Sequence, residues 1–243
     1  MFNNKSTIAP PPEREFKMKK GFTLAEVLIT LGIIGVVASL TLPAIINSYK
    51  SIVLQSQLKS AYKIILDAFT KMTIDLGEIQ TFGGQNDFYP IYKTYFNKII
   101  DCGYSNPDEN LCMSRANSHG GNSNSHNDLV YKTFNGNQID TDNFDDGQFV
   151  LSNGMLVMLQ SHGTTFISVD INGKPKGPNR LGQDVFTFQV MSTGKLMPMG
   201  ATGTIYYTTN DTFCSKDSTS SSNGIACTYK ALNEKDFFKN LPK

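Results

Sequence analysis

The sequence predicts an α+β protein in which one long N-terminal helix precedes a small antiparallel β-sheet. Three observations favour this class. An apolar run of 25 residues, 22–46, contains a single formal charge. Apolar residues at spacings of three and four then continue to about residue 76, as an amphipathic helix requires. From Gln148 the pattern changes to short alternating segments that are typical of half-buried strands.

The apolar run is long enough to cross a membrane. As a helix it would extend roughly 37 Å at 1.5 Å per residue, and the hydrocarbon core of a bilayer is about 30 Å thick. Lys17, Lys19 and Lys20 precede it and the uncharged Asn47 follows, so the positive-inside tendency predicts a cytoplasmic N-terminus and an exported C-terminal part. A cleaved secretory signal peptide is the alternative, but Glu26 lies at the start of its apolar core.

Glu26 is the unusual residue of this run. A charge deep in a bilayer costs about 3 kcal/mol on insertion scales, so an ionisable residue there indicates a functional site. The alternative is an ordinary anchor that happens to carry one glutamate. The question is therefore which partner the carboxylate meets.

Residues 21–26, GFTLAE, resemble the processing signal of the type IV pilin and type II secretion pseudopilin superfamily. The resemblance implies that a prepilin peptidase cuts after Gly21 and methylates the new N-terminal residue, Phe22. Glu26 then becomes the fifth residue of the mature chain, where the superfamily has a glutamate. Gly35 and Pro43 also fall at positions where members often carry these residue types.

In the superfamily the new amine, here that of Phe22, pairs with the glutamate of an adjacent subunit, here Glu26. Two unit charges about 4 Å apart attract by roughly 4 kcal/mol at an effective dielectric constant of 20, which is comparable to the burial penalty. Gly32 and Gly35 are expected to permit close helix approach or local melting. Pro43 is expected to bend the helix.

The predicted organisation has four segments: a prepilin leader at 1–21 that is removed, a transmembrane and filament-core helix at 22–46, its amphipathic continuation at 47–77, and a globular exported head at 78–243. Translation can start at Met1 or at Met18. The leader is predicted to be disordered before residue 18. It carries a net charge of +3, so the mature chain would carry −2 rather than the +1 of the whole chain. This near-neutral charge does not predict nucleic-acid binding.

The continuation of the helix should end at Gly77. A helix from Thr23 to Leu76 would be about 80 Å long, and its second half should lie against a sheet. The apolar residues that define this stripe are Ile45, Ile46, Tyr49, Ile52, Val53, Leu58, Tyr62, Ile65, Leu66, Phe69 and Met72.

Four cysteines form two close pairs, Cys102 with Cys112 and Cys214 with Cys227. In an oxidising compartment we expect two local disulfides rather than free thiols. Each would stabilise the fold by roughly 3 kcal/mol on a chain-entropy argument. Neither pair has the CxxC spacing that metal sites favour.

Between the helix and the strands, residues 88–100 are rich in aromatic side chains and are expected to form a short helix near the first cysteine pair. Residues 114–128 have almost no apolar content and predict an exposed loop. We interpret His119 and His126 as solvated loop residues rather than as ligands. A second short helix is expected at 234–240, after the serine-rich segment that Cys214 and Cys227 enclose.

Three to five antiparallel strands are predicted between about 148 and 200. Asn153-Gly154 separates two apolar runs, which is a strong hairpin signal, and residues 164–170 and 184–190 alternate apolar with polar residues. Together with the resemblance, this pattern predicts a pilin-like lollipop, with a transmembrane-plus-amphipathic helix packed on a small antiparallel β-sheet head.

The connection between the last two of these strands, 170–184, has two interpretations. Asp170, Asn172 and Asp184 could bind a hard cation such as calcium, and some secretion pseudopilins resemble this chain in placing a calcium loop in the sheet region. However, Lys174 stands where an EF-hand needs an oxygen ligand. We therefore favour a turn-rich connection whose aspartates accept hydrogen bonds from backbone N–H groups, with no cofactor.

No motif of a known active site occurs, so an enzyme is not expected. The first hypothesis is a structural subunit of a type IV pilus or a type II secretion pseudopilus. The alternative is a low-copy tip subunit whose head binds a surface, a glycan, DNA or a secreted substrate. The implied partners are the prepilin peptidase, other pilin or pseudopilin subunits, an inner-membrane assembly platform and, before assembly, membrane lipid. The implied location is the bacterial inner membrane and then an extracellular or periplasmic filament.

Overall fold

The computed structural model describes residues 21–77, 88–97, 99–104, 110–113, 130–161 and 163–242. The chain divides into two compact units, Met1–Ile45 and Ile46–Lys243. Most of the predicted leader and the predicted loop at 114–128, with His119 and His126, lie outside the described residues.

One helix, α1, begins at Leu24 and ends at Leu76, and it continues through Pro43. In the first unit nearly all of its side chains are exposed, although most are apolar. Among the described residues α1 is the helix that is long and apolar enough to cross a membrane. Gly77 ends it as predicted, because this residue has φ +82° and its N–H donates to Thr73 O at 3.1 Å.

In the second unit the later turns of α1 belong to the main core, with Leu58, Ala61, Ile65, Ala68, Phe69 and Met72 all buried. Tyr62 stacks on Phe188 of the sheet with ring centroids 5.0 Å apart. The predicted stripe is therefore right from Leu58 onward. It is wrong for Tyr49 and Ile52, which are exposed, because periodicity shows which side chains share a face but not how far along the helix the sheet extends.

Within the described ranges the sheet has six antiparallel strands in sequential order. They are β1 Ile100–Gly103, β2 Gln148–Val150, β3 Leu156–Gln160, β4 Phe166–Asp170, β5 Val185–Val190 and β6 Leu196–Pro198. The predicted α+β class is confirmed: a long N-terminal helix is followed by an antiparallel sheet. The strands β2 to β6 lie within the predicted range of about 148–200 and match the upper predicted number, whereas β1 lies far upstream of this range and was not predicted.

The predicted hairpin joins β2 and β3. Val150 pairs with Leu156, the N–H of Leu151 donates to Met155 O at 2.8 Å, and the N–H of Gly154 donates to Leu151 O at 2.9 Å. Gly154 has φ +88°, which only glycine adopts readily. The Asn153-Gly154 signal therefore marks a real turn.

The strands β4 and β5 are buried on both faces, not on one as the alternating pattern predicts. Ile167 and Phe186 face the core that includes α1, whereas Phe166 and Val185 face a second core with Met199 and other residues from loops. Buried polar side chains of these strands form hydrogen bonds with each other, as Ser168 Oγ and Thr187 Oγ1 do at 2.8 Å.

The remaining elements are short. Helix α2 comprises Phe88–Tyr92 and a 3-10 turn follows at Lys93–Tyr95, so the helix expected at 88–100 ends early and Ile100 belongs to β1. Helix α3 comprises Cys227–Asn233, and only a 3-10 turn, Phe237–Lys239, falls in the expected helix at 234–240. Two further 3-10 turns are Thr141–Asn143 and Lys174–Lys176.

Candidate functional site

Thr23 and Glu26 form a reciprocal cap at the beginning of α1. The backbone N–H and the hydroxyl of Thr23 donate to Glu26 Oε2 at 2.8 Å and 2.9 Å, and the N–H of Glu26 donates to Thr23 Oγ1 at 3.2 Å. This is the capping box of a helix N-terminus, in which two otherwise unpaired N–H groups are satisfied. The role of Thr23 as a helix cap was not predicted, although the Thr-x-x-Glu spacing signals such a cap.

The cap involves only one oxygen of the carboxylate. Among the described residues, Glu26 Oε1 accepts no hydrogen bond, and the side chain is exposed. The glutamate is therefore oriented by its own helix while one oxygen remains available to a partner outside the chain.

The predicted cleavage site lies immediately before this cap. Gly21 and Phe22 have no regular secondary structure, the Phe22 side chain is 90% exposed, and the space around Gly21 is open. An accessible, non-helical peptide bond is what a peptidase requires, because the bond must enter the active site of another protein.

The other predicted residues of the first unit lie inside α1. A Cβ at Gly32 or Gly35 would meet nothing within 4 Å, so the helix exposes bare backbone that a neighbouring helix can approach. Pro43 has no N–H to donate to the carbonyl of Ser39, one turn earlier.

Both cysteine pairs are bonded in the structure. The sulfur atoms are 1.96 Å apart in Cys102–Cys112 and 2.01 Å apart in Cys214–Cys227. The first bond joins β1 to a segment beside it in the second core, and the second bond joins the loop before α3 to the first residue of that helix.

The three predicted calcium ligands lie in one loop, where the two carboxylates are fully buried. Asp170 Oδ1 accepts from the N–H of Gly173 at 2.8 Å, and Oδ2 accepts from the hydroxyl of Tyr131 at 2.8 Å. Burial, and secondly the charge of Asp184, raise the pKa of Asp170 to about 7.

Asp184 is held in the same way. Its Oδ2 accepts from the N–H of Asn179 at 2.9 Å and its Oδ1 from the N–H of Arg180 at 2.7 Å, while burial raises its pKa. The amide of Asn172 donates to Gly177 O at 2.7 Å. The loop is thus organised by backbone donors to aspartates, as the turn interpretation requires. Within the described part of the chain no group of three His, Cys, Asp or Glu side chains could hold a metal ion.

Comparison with known proteins gives a match that lies in the first unit. Residues 16–42 match the prokaryotic N-terminal methylation motif. No curated protein and no solved structure matches the chain significantly. The match spans the predicted cleavage site, the cap and most of the apolar run. Residues 16–42 of this chain therefore carry the signature of the type IV pilins and pseudopilins.

Proposed function

We propose that this chain is a prepilin-like structural subunit, cleaved after Gly21 and N-methylated at Phe22, which polymerises into a type IV pilus or a type II secretion pseudopilus. The methylation motif at 16–42 carries the proposal, since proteins with this motif are structural subunits processed by a prepilin peptidase.

Cleavage after Gly21 would create the positively charged group with which Glu26 can form an ion pair. Before cleavage the backbone nitrogen of Phe22 belongs to an uncharged amide, and after cleavage it is a positively charged amine. The Oε1 atom of Glu26, which the cap does not use, can accept a hydrogen bond from this amine of an adjacent subunit. The hydrogen bonds between Glu26 and Thr23 then stay intact. Such a pair is worth roughly 4 kcal/mol at 4 Å and an effective dielectric constant of 20.

The exposed apolar surface of α1 in the first unit supports the same function. Large side chains such as Leu28, Ile34 and Leu40 are more than half exposed. The exposure of this much apolar surface to water is unfavourable in free energy. Lipid covers this surface before assembly, and the equivalent helices of other subunits cover it in the filament. The inner-membrane assembly platform and the cytoplasmic orientation of the N-terminus belong to this proposal.

Two variants of Glu26 test the proposal. Glu26→Gln keeps an oxygen for the cap but removes the charge, whereas Glu26→Ala removes both. We expect the peptidase to process both variants, as mass spectrometry of the new N-terminus would show. Neither should enter filaments, because the loss of about 4 kcal/mol weakens a subunit contact on the order of 1000-fold.

Thr30→Ala is the matched control, since Thr30 lies in the same segment and its hydroxyl donates only to Val27 O of its own helix at 3.0 Å. It should assemble normally. Native incorporation of Glu26→Gln into purified filaments would contradict the proposed charge pair.

A further inference from the structure

The second unit has an open groove between the segment after β6 and helix α3. One hollow of about 160 Å³ is lined by Tyr207, Asp211 and Tyr229, among others. A second hollow of about 480 Å³ lies beside it, and Lys230 and Glu234 line both. We call these two hollows together the C-terminal groove.

Two tyrosines leave their rings open to solvent in this groove. Tyr207 is 43% exposed and Tyr229 is 45% exposed, whereas the neighbouring Tyr206 packs edge-on against Phe213 with ring centroids 4.9 Å apart. Both backbones are held by hydrogen bonds, because the N–H of Tyr229 donates to Met199 O at 3.0 Å and the N–H of Tyr207 donates to Thr204 O at 3.1 Å. The groove therefore presents two aromatic rings that lose little freedom on binding a ligand.

Polar groups beside these rings are also held in place. Asp211 forms an ion pair with Lys230 at 2.7 Å and adopts φ +56°, a left-handed conformation that is uncommon outside glycine. The N–H of Cys214 donates to Asp211 O at 2.8 Å, and the disulfide to Cys227 connects this turn to α3. Side chains fixed in this way are characteristic of a preformed ligand site.

The net charge of the groove favours one class of ligand. Its acidic and basic side chains balance, three of each: Asp211, Glu234 and Asp236 against Lys216, Lys230 and Lys235. A nucleic acid needs a clear excess of positive charge, and an apolar peptide would leave these charges desolvated. A neutral saccharide needs no excess of positive charge, and it does not leave the charged side chains desolvated, because its hydroxyl groups hydrogen-bond to them. Its C–H faces can also stack on the aromatic rings.

We propose that the C-terminal groove binds a neutral oligosaccharide, with one sugar ring stacked on Tyr229 and its hydroxyl groups bonded to Asp211, Lys230 and Glu234. The two adjoining hollows accommodate more than one ring. This binding site is independent of the proposed processing and assembly at the N-terminus.

The test uses the full chain in a detergent without a sugar headgroup. Maltotetraose, cellotetraose and chitotetraose are titrated by calorimetry and by saturation-transfer NMR, with a heparin tetrasaccharide and a single-stranded oligonucleotide as anionic comparators. We expect at least one neutral tetrasaccharide to bind at millimolar concentration or below, and more tightly than either anion.

Tyr229→Ala should weaken this binding about tenfold, whereas Tyr229→Phe should keep most of it because the ring remains. Tyr49→Ala is the matched control, since Tyr49 is exposed on α1 and outside the groove. Absence of binding to all three neutral saccharides, tighter binding of an anion, or equal affinity of Tyr229→Ala and native protein would each overturn the proposal.

Discussion

The disulfide Cys214–Cys227 should be a principal source of stability for the second unit. It closes a loop with a sequence separation of 13 residues, for which the chain-entropy argument gives about 3 kcal/mol. A domain of this size loses about 2–4 °C of Tm per kcal/mol. The double variant Cys214→Ala, Cys227→Ala should therefore unfold about 6–12 °C below the native protein.

The assay is thermal unfolding of the full chain in detergent, with and without a reductant. The double variant Cys102→Ala, Cys112→Ala is the matched comparison, since its loop has a similar separation of 10 residues. The two bonds belong to different cores, so their effects should add. A Tm within 2 °C of native for the first double variant, in oxidising buffer, would refute the reasoning.

Three further predictions test the cap, the packing and the buried charges. Thr23→Ala removes a capping hydroxyl worth about 1 kcal/mol, so amide exchange at the start of α1 should accelerate roughly fivefold, and unchanged exchange would contradict the cap. Gly147→Ala should lower the Tm strongly, because a Cβ there would overlap the ring of Tyr89; Gly154→Ala, with open space around it, should lower it less. Burial raises the pKa of Asp170 to about 7, so the folded protein holds this proton more tightly than the unfolded chain does. The free energy of unfolding in EDTA should therefore fall as the pH rises from about 4 to 7, and Asp170→Asn should flatten this fall. Calcium chloride added in place of EDTA distinguishes the two interpretations of the loop, since the turn interpretation predicts an unchanged free energy of unfolding for the native protein.

Local patterns predicted the elements whose physical cause is local. The end of α1 at Gly77 and the turn at Asn153-Gly154 depend on backbone conformations that glycine favours, and both were predicted. Strand β1 was missed, because it has only four residues and forms through its pairing with β2, from which 44 intervening residues separate it. Such non-local pairing has no periodic signal of its own.

The candidate sites divide in the same way. The methylation motif is a contiguous string of residues, so the sequence alone could predict Gly21, Phe22 and Glu26 as its functional residues, and the match at 16–42 includes all three. The sequence also contained the Thr-x-x-Glu spacing of the cap, but the hydrogen bonds show that the cap uses only one oxygen of the glutamate.

By itself the sequence determined the methylation motif, the apolar helix and the α+β class, because each depends on residue types at fixed separations along the chain. Only the tertiary structure decided that both faces of β4 and β5 are buried, that the carboxylates of Asp170 and Asp184 are both buried, and that Tyr207 and Tyr229 line one groove. These features depend on residues that are distant in sequence and meet only when the cores close around the sheet.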